Sequence, residues 1–185
     1  MVFLVAAIVG LVFGGADQYL GSLVLLGSWT STVSGVSAPW LVLAFACGTT
    51  QTQQHRAALV GLTAVMSALA GYFLMTISPI ESVPLNHFPA DMIALARADL
   101  AVIIGGLALA PLFGLLGQRW RTKRSWISAA AAAATICLEP LARFCVGRLW
   151  SPELVWLIEI SLGTCLAAYF VQTGRTYRRR LRAST

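Results

Sequence analysis

The chain has 185 residues, 58% apolar and only 11% charged, with a mean hydropathy of +0.78 and a net charge of +6. A soluble domain carries about 25% charged residues, so this chain has too few to cover a water-facing surface. That shortage excludes a cytosolic enzyme, a secreted domain and a disordered tail, and leaves a chain solvated by lipid.

In chain order, the first apolar run, 2–16, reads as a transmembrane helix ended by Asp17 and Gln18. It lacks a basic leading region and is followed by further spans, which argues against a cleaved signal peptide. Residues 17–38 mix Gly21, Gly27 and Gly35 with Thr30, Ser31 and Thr32, and read as a partly embedded segment or a long outer loop. Pro39 suits the first turn of a helix and opens a second, short span over 39–49. Runs at 57–77, 96–117, 125–147 and 154–172 complete the set, most near the roughly 20 residues that cross the hydrocarbon. Pro111 and Pro140 fall inside their spans and are expected to kink them. The fold class expected is all-α: a polytopic membrane bundle of about six transmembrane helices over 1–174, with a basic tail at 175–185.

Charge supplies the orientation. Arg56, Arg119, Arg121, Lys123, Arg124, Arg175, Arg178, Arg179, Arg180 and Arg182, ten of the thirteen basic residues, share one side if there are six spans. Basic residues stay inside, so both termini are expected in the cytoplasm of a multi-pass cell-membrane protein. All seven acids then fall in the outer loops or the outer part of the membrane. The Arg-rich tail directly follows a span and reads as a topology anchor against anionic lipid, not as a nucleic-acid surface.

Small residues recur at helical spacing: Ala6, Gly10 and Gly14 on the first span, Gly106, Ala110 and Gly114 on the fourth. Such faces let helix backbones approach closely in lipid. Two readings stay open for the first face: packing within the bundle, or contact with a membrane partner subunit.

Ionisable residues inside apolar helices mark the candidate site. Each costs at least about 2.5 kcal/mol at the bilayer centre, so it normally faces an interior cavity and a partner. Asp17, Asp99, Glu139 and Glu159 come from four segments, yet the rise per residue brings all of them to the outer third of the membrane. Arg97 and Arg143 reach the same level. Glu139 and Arg143 are four apart, the favourable order for a helical ion pair, whereas Asp17 and Glu159 have no local basic partner. Trp29, Tyr72 and Trp156 add aromatic walls at that depth. Tyr19, Trp40, Phe73 and Trp150 are assigned to the interfacial belt. The expectation is one water-accessible pocket for a small ligand, lined by Asp17, Trp29, Tyr72, Arg97, Asp99, Glu139, Arg143, Trp156 and Glu159.

No phosphate-binding loop, dinucleotide fingerprint, zinc-helix motif or nucleophile elbow occurs. His55 and His87 fall on opposite sides of the membrane, and Cys47, Cys137, Cys145 and Cys165 lack ligand spacing and read as small packing residues. No metal and no cofactor is expected.

The segments Gly10-Leu-Val-Phe-Gly14, Ala38-Pro-Trp-Leu-Val42 with Ala44-Phe45, Ala70-Gly-Tyr-Phe73, and Pro111-Leu-Phe-Gly-Leu-Leu-Gly117 before Trp120-Arg121 resemble a family of small six-span membrane proteins of unknown function, commonest in high-GC Gram-positive bacteria. That resemblance implies no activity. A weaker one is to the substrate-binding subunits of energy-coupling-factor vitamin transporters, which have six spans and both termini inside. It implies that the Ala6, Gly10, Gly14 face meets a transport partner and that a ligand enters from outside, beneath residues 17–38.

Two functions are carried forward. The first is solute binding in an outward-facing polar pocket, for transport. The second is a membrane-embedded, terpene-cyclase-like enzyme in which Asp17, Glu139 or Glu159 donates a proton to a lipid or isoprenoid and aromatic faces shield the cations formed.

Overall fold

The computed structural model describes the backbone of residues 1–23, 30, 36, 38–78, 93, 94, 97, 100–145 and 153–183. Side-chain surroundings are described at these positions except 101, 102, 139–145, 153–155, 158, 162 and 174–183. The described chain is helical throughout, with no strand: α1 is Val2–Ser22, α2 Ala38–Thr49, α3 Gln54–Thr76, α4 Leu100–Lys123, α5 Trp126–Cys145 and α6 Glu153–Ala183. Val2–Ser22, Gln54–Thr76 and Ile103–Lys123 are long and apolar enough to cross a membrane, while Ala38–Thr49 and Trp126–Leu138 are shorter apolar helices.

Helix ends differ from the sequence expectation at three places. α1 runs past Asp17 to Ser22, where the Ser22 hydroxyl donates to the Tyr19 carbonyl at 2.8 Å and the Leu23 N–H to Leu20 at 3.3 Å. A carboxylate does not stop a helix when its side chain finds a donor off the helix axis, as Asp17 does. α4 continues through Arg119 to Lys123, and α6 through the basic segment to Ala183, because Arg, Leu and Lys are good helix formers once a turn precedes them. α4 also stays helical through Pro111.

Glycine decides which helices touch. A Cβ on Gly10 would strike the Ala64 carbonyl, one on Gly14 the Ala68 carbonyl, and one on Gly71 the Leu11 carbonyl. Backbones therefore meet directly along α1 and α3, and since 10 pairs with 64 and 14 with 68, the two helices run parallel. Ala6, Gly10 and Gly14 are buried in this contact: the small-residue face is filled by α3 of the same chain, the intramolecular of the two readings. The second small face behaves alike. A Cβ on Gly114 would meet Ala57, one on Gly61 would lie 2.8 Å from the Ala110 carbonyl, and Gly106 faces Val65, so α4 runs antiparallel to α3.

α2 returns against α4 and α3. Its Trp40 end lies beside Asp17 and its Thr49 end beside Arg121. α5 and α6 are antiparallel, with Gly163 against Ala133 and Cys137. The core runs through Leu41, Phe45, Val65, Leu69, Phe113, Trp120 and Phe170, joining α2, α3, α4 and α6. Direction alternates from each helix to the next. The ends of α1, α3 and α5 and the starts of α2, α4 and α6 consequently share one end of the bundle, the end that carries Asp17 and Glu159, the two acids among the described side chains. The other end carries Arg56, Arg119, Arg121, Lys123 and Arg124.

At this basic end α4 clamps the α2–α3 turn. The Gln118 amide donates to the Thr52 carbonyl at 2.7 Å and the Arg121 guanidinium to the Thr49 carbonyl at 2.8 Å. The last carbonyls of a helix have no partner within it, and a cation there also meets the negative end of the helix dipole.

Candidate functional site

Close α1–α3 packing sets the geometry at the acid end. Gly14 on Ala68 and Gly71 on Leu11 draw the two helices together, which leaves Asp17 and Tyr72, one turn and one residue further on, facing a common space. Trp40 fills it. Its helix begins at Ala38, where Pro39 in the first turn gives up an N–H that has no helical acceptor anyway. The Trp40 indole Nε1 then donates to the Asp17 carboxylate in a long hydrogen bond of 3.3 Å.

Two aromatic rings pack against Trp40, and a third stands behind one of them. Phe13, one helical turn before Asp17, meets Trp40 edge to face at 5.9 Å and 82°. Tyr72 meets it at 6.2 Å and 62°, and Phe73 stands against Tyr72 at 5.7 Å and 88°. Asp17, Phe13, Trp40 and Tyr72 are all half-buried. A carboxylate has two oxygens and about four acceptor positions, so one long bond from Trp40 leaves capacity for a further donor. The surrounding π-faces are electron-rich and favour a positive group over a negative one.

Among the expected site residues, the structure brings Asp17 and Tyr72 together through Trp40. Trp156 and Glu159 lie three apart near the start of α6, on a helix that packs against α5; Glu159 is only 6% exposed, and the buried Trp156 Nε1 makes no hydrogen bond to a described residue. Arg97 is exposed. Trp29, Asp99, Glu139 and Arg143 lie outside the described side chains.

Two members of the cluster escaped the sequence reading. Trp40 was assigned to the interfacial belt, although Pro39 already fixed it in the first turn of a helix at the depth of Asp17. Phe13 precedes Asp17 by four residues, the spacing that puts two side chains on one helix face, and this signal was present in the sequence.

No protein-family model matches the chain, and neither a curated protein nor a solved structure is detectably similar to it.

Proposed function

We propose that the chain is a multi-pass membrane protein that binds a small cationic solute at its acid end, for transport across the bilayer, with both termini in the cytoplasm. The observation that carries this reading is the Asp17 carboxylate, hydrogen-bonded by Trp40, whose ring packs edge to face with Phe13 and Tyr72. A half-buried carboxylate supplies the counter-charge, and aromatic faces add roughly 0.5–2 kcal/mol each to a desolvated cation. The orientation is supported by the sorting of charge: the six described helices alternate in direction and bring the start of α1 and the end of α6 to the basic end, which positive-inside sorting assigns to the cytoplasm. At about 18 Å, twelve-residue α2 is shorter than the hydrocarbon.

Tetramethylammonium is the probe that tests this. Its titration into the purified chain in detergent should give a saturable change in tryptophan fluorescence, because the cation sits on Trp40. Asp17→Asn should weaken the response by at least about tenfold, the loss of one charge contact in a partly desolvated site, while sodium at equal ionic strength gives none. No saturation in the wild-type chain, or an unchanged response in Asp17→Asn, would remove the cation from this site.

A second reading draws on the same aromatic faces: an acid beside π-surfaces also suits a terpene-cyclase-like enzyme, with Asp17 as proton donor and Trp40 and Tyr72 shielding carbocations. Incubation with an isoprenoid epoxide separates the two, since only the enzyme converts it to a cyclic alcohol.

A further inference from the structure

Asp17 presents one negative charge, and its surroundings decide what can cancel it. Among the described residues its polar partner is the Trp40 indole, a neutral donor, and no described arginine, lysine or histidine makes an ion pair with it. The neighbouring helices bring no fixed cation to this level. α3 brings Tyr72 and Thr76, while its His55 and Arg56 lie about 24 Å from Tyr72 along the axis. α2 brings Trp40, and its Cys47 stands about 10 Å further down that helix. On α1 the adjacent Gln18 is neutral and Tyr19 is exposed, as is Arg97. Glu159 sits on α6, a helix packed against α5. Among the described side chains, the cluster therefore holds one carboxylate with one charge to balance.

An ionised carboxylate in apolar surroundings is costly unless a counter-charge joins it. Two species can do so: a cationic solute, or a proton that turns the group into a neutral acid with an O–H to donate. A small metal ion is poorly served, because hard cations need a shell of oxygen ligands. Phe13 and Trp40 present ring atoms and one N–H, and no oxygen. Solute and proton need the same carboxylate oxygens, so each excludes the other.

We propose that the chain exchanges its cationic solute for a proton at Asp17, one for one. The inference deepens the cation reading above and rests on it. As the solute arrives, the carboxylic acid of Asp17 loses its O–H bond, the proton passes to water, and the carboxylate left behind pairs with the cation. The site is neutral before and after, so it changes face in either form. Its empty, ionised form is disfavoured in lipid, which couples the two flows.

Two measurements on the full chain test this, with tetramethylammonium as the solute. In detergent and weak buffer from pH 5 to 8, an indicator dye should register close to one proton released per cation bound at the acid end of the range. The apparent Kd should rise there toward tenfold per pH unit, since proton and cation act on each other's affinity reciprocally. In liposomes, an interior one pH unit more acid than the outside should concentrate the cation about tenfold. A potassium–valinomycin potential of either sign should leave that ratio unchanged, because no net charge moves, and a sodium gradient should drive nothing. Asp17→Asn has the same size and is neutral at every pH; it should melt close to wild type and lose both proton release and acid-driven uptake. Saturable binding without proton release anywhere in this range, proton release that persists in Asp17→Asn, or uptake that follows the potential and ignores the pH gradient would overturn the exchange and leave the cation reading standing. Absence of saturable binding at every pH would remove the cation reading, and the exchange with it.

Discussion

Gly14 and Gly105 belong to the same bundle but meet opposite surroundings. A Cβ at Gly14 would run into the Ala68 backbone, whereas one at Gly105 meets nothing within 4 Å. Gly14→Ala must therefore push α1 away from α3, an overpacking cost of about 1–3 kcal/mol, and should lower the melting temperature in detergent. Gly105→Ala should leave it unchanged or raise it, since alanine is favoured over glycine inside a helix by roughly 1 kcal/mol. Equal melting temperatures for the two variants would mean that α1 and α3 do not touch at Gly14. The same separation of α1 from α3 should also loosen the Asp17–Trp40 contact, so Gly14→Ala is expected to weaken tetramethylammonium binding although it touches no part of the site.

At the scale of the element, the α2–α3 turn is held by α4 as well as by its own hydrogen bonds, such as those from the Thr50 and Gln51 N–H groups to the Cys47 and Gly48 carbonyls. Gln118 is buried, and its amide reaches the carbonyl of exposed Thr52. In Gln118→Leu that carbonyl turns to water, so the expected loss is modest, about 1 kcal/mol, read as a lower unfolding midpoint. The helices themselves were legible in the sequence because apolar runs of this length must close their own backbone hydrogen bonds in lipid. The small-residue faces were legible too, from their spacing of four. Which partner each face meets was not, because Gly10 and Gly14 fit any smooth helix equally well and only the three-dimensional arrangement selects Ala64 and Ala68. Asp17 stood out by its depth and its lack of a local basic partner, and Tyr72 as an aromatic residue at the same depth. Trp40 was missed because a tryptophan near the end of a span has an ordinary interfacial explanation, and the hydrogen bond that distinguishes it joins residues 23 apart in sequence.

Across the whole molecule, alternation of the six described helices sets Asp17 and Glu159 at one end and Arg56, Arg119, Arg121, Lys123 and Arg124 at the other. A reporter fused after Thr185 is expected to be active only in its cytoplasmic form; activity of a periplasmic reporter at the same junction would reverse the orientation proposed here.

Parallel contact between α1 and α3 also orders events in time. Two parallel helices cannot be neighbours in a hairpin, so α1 leaves the ribosome well before the surface that receives Gly10 and Gly14 has been made. Residues up to Thr76 must still be synthesised, which takes on the order of several seconds at ordinary elongation rates. During that interval α1 resides in the bilayer with its small-residue face open to lipid or to whatever membrane chaperone or protease is at hand. Pulse-labelling of chains truncated at Gln53 and at Lys123 reads this out: the shorter, which contains α1 but not its receiving helix, should be degraded faster than the longer.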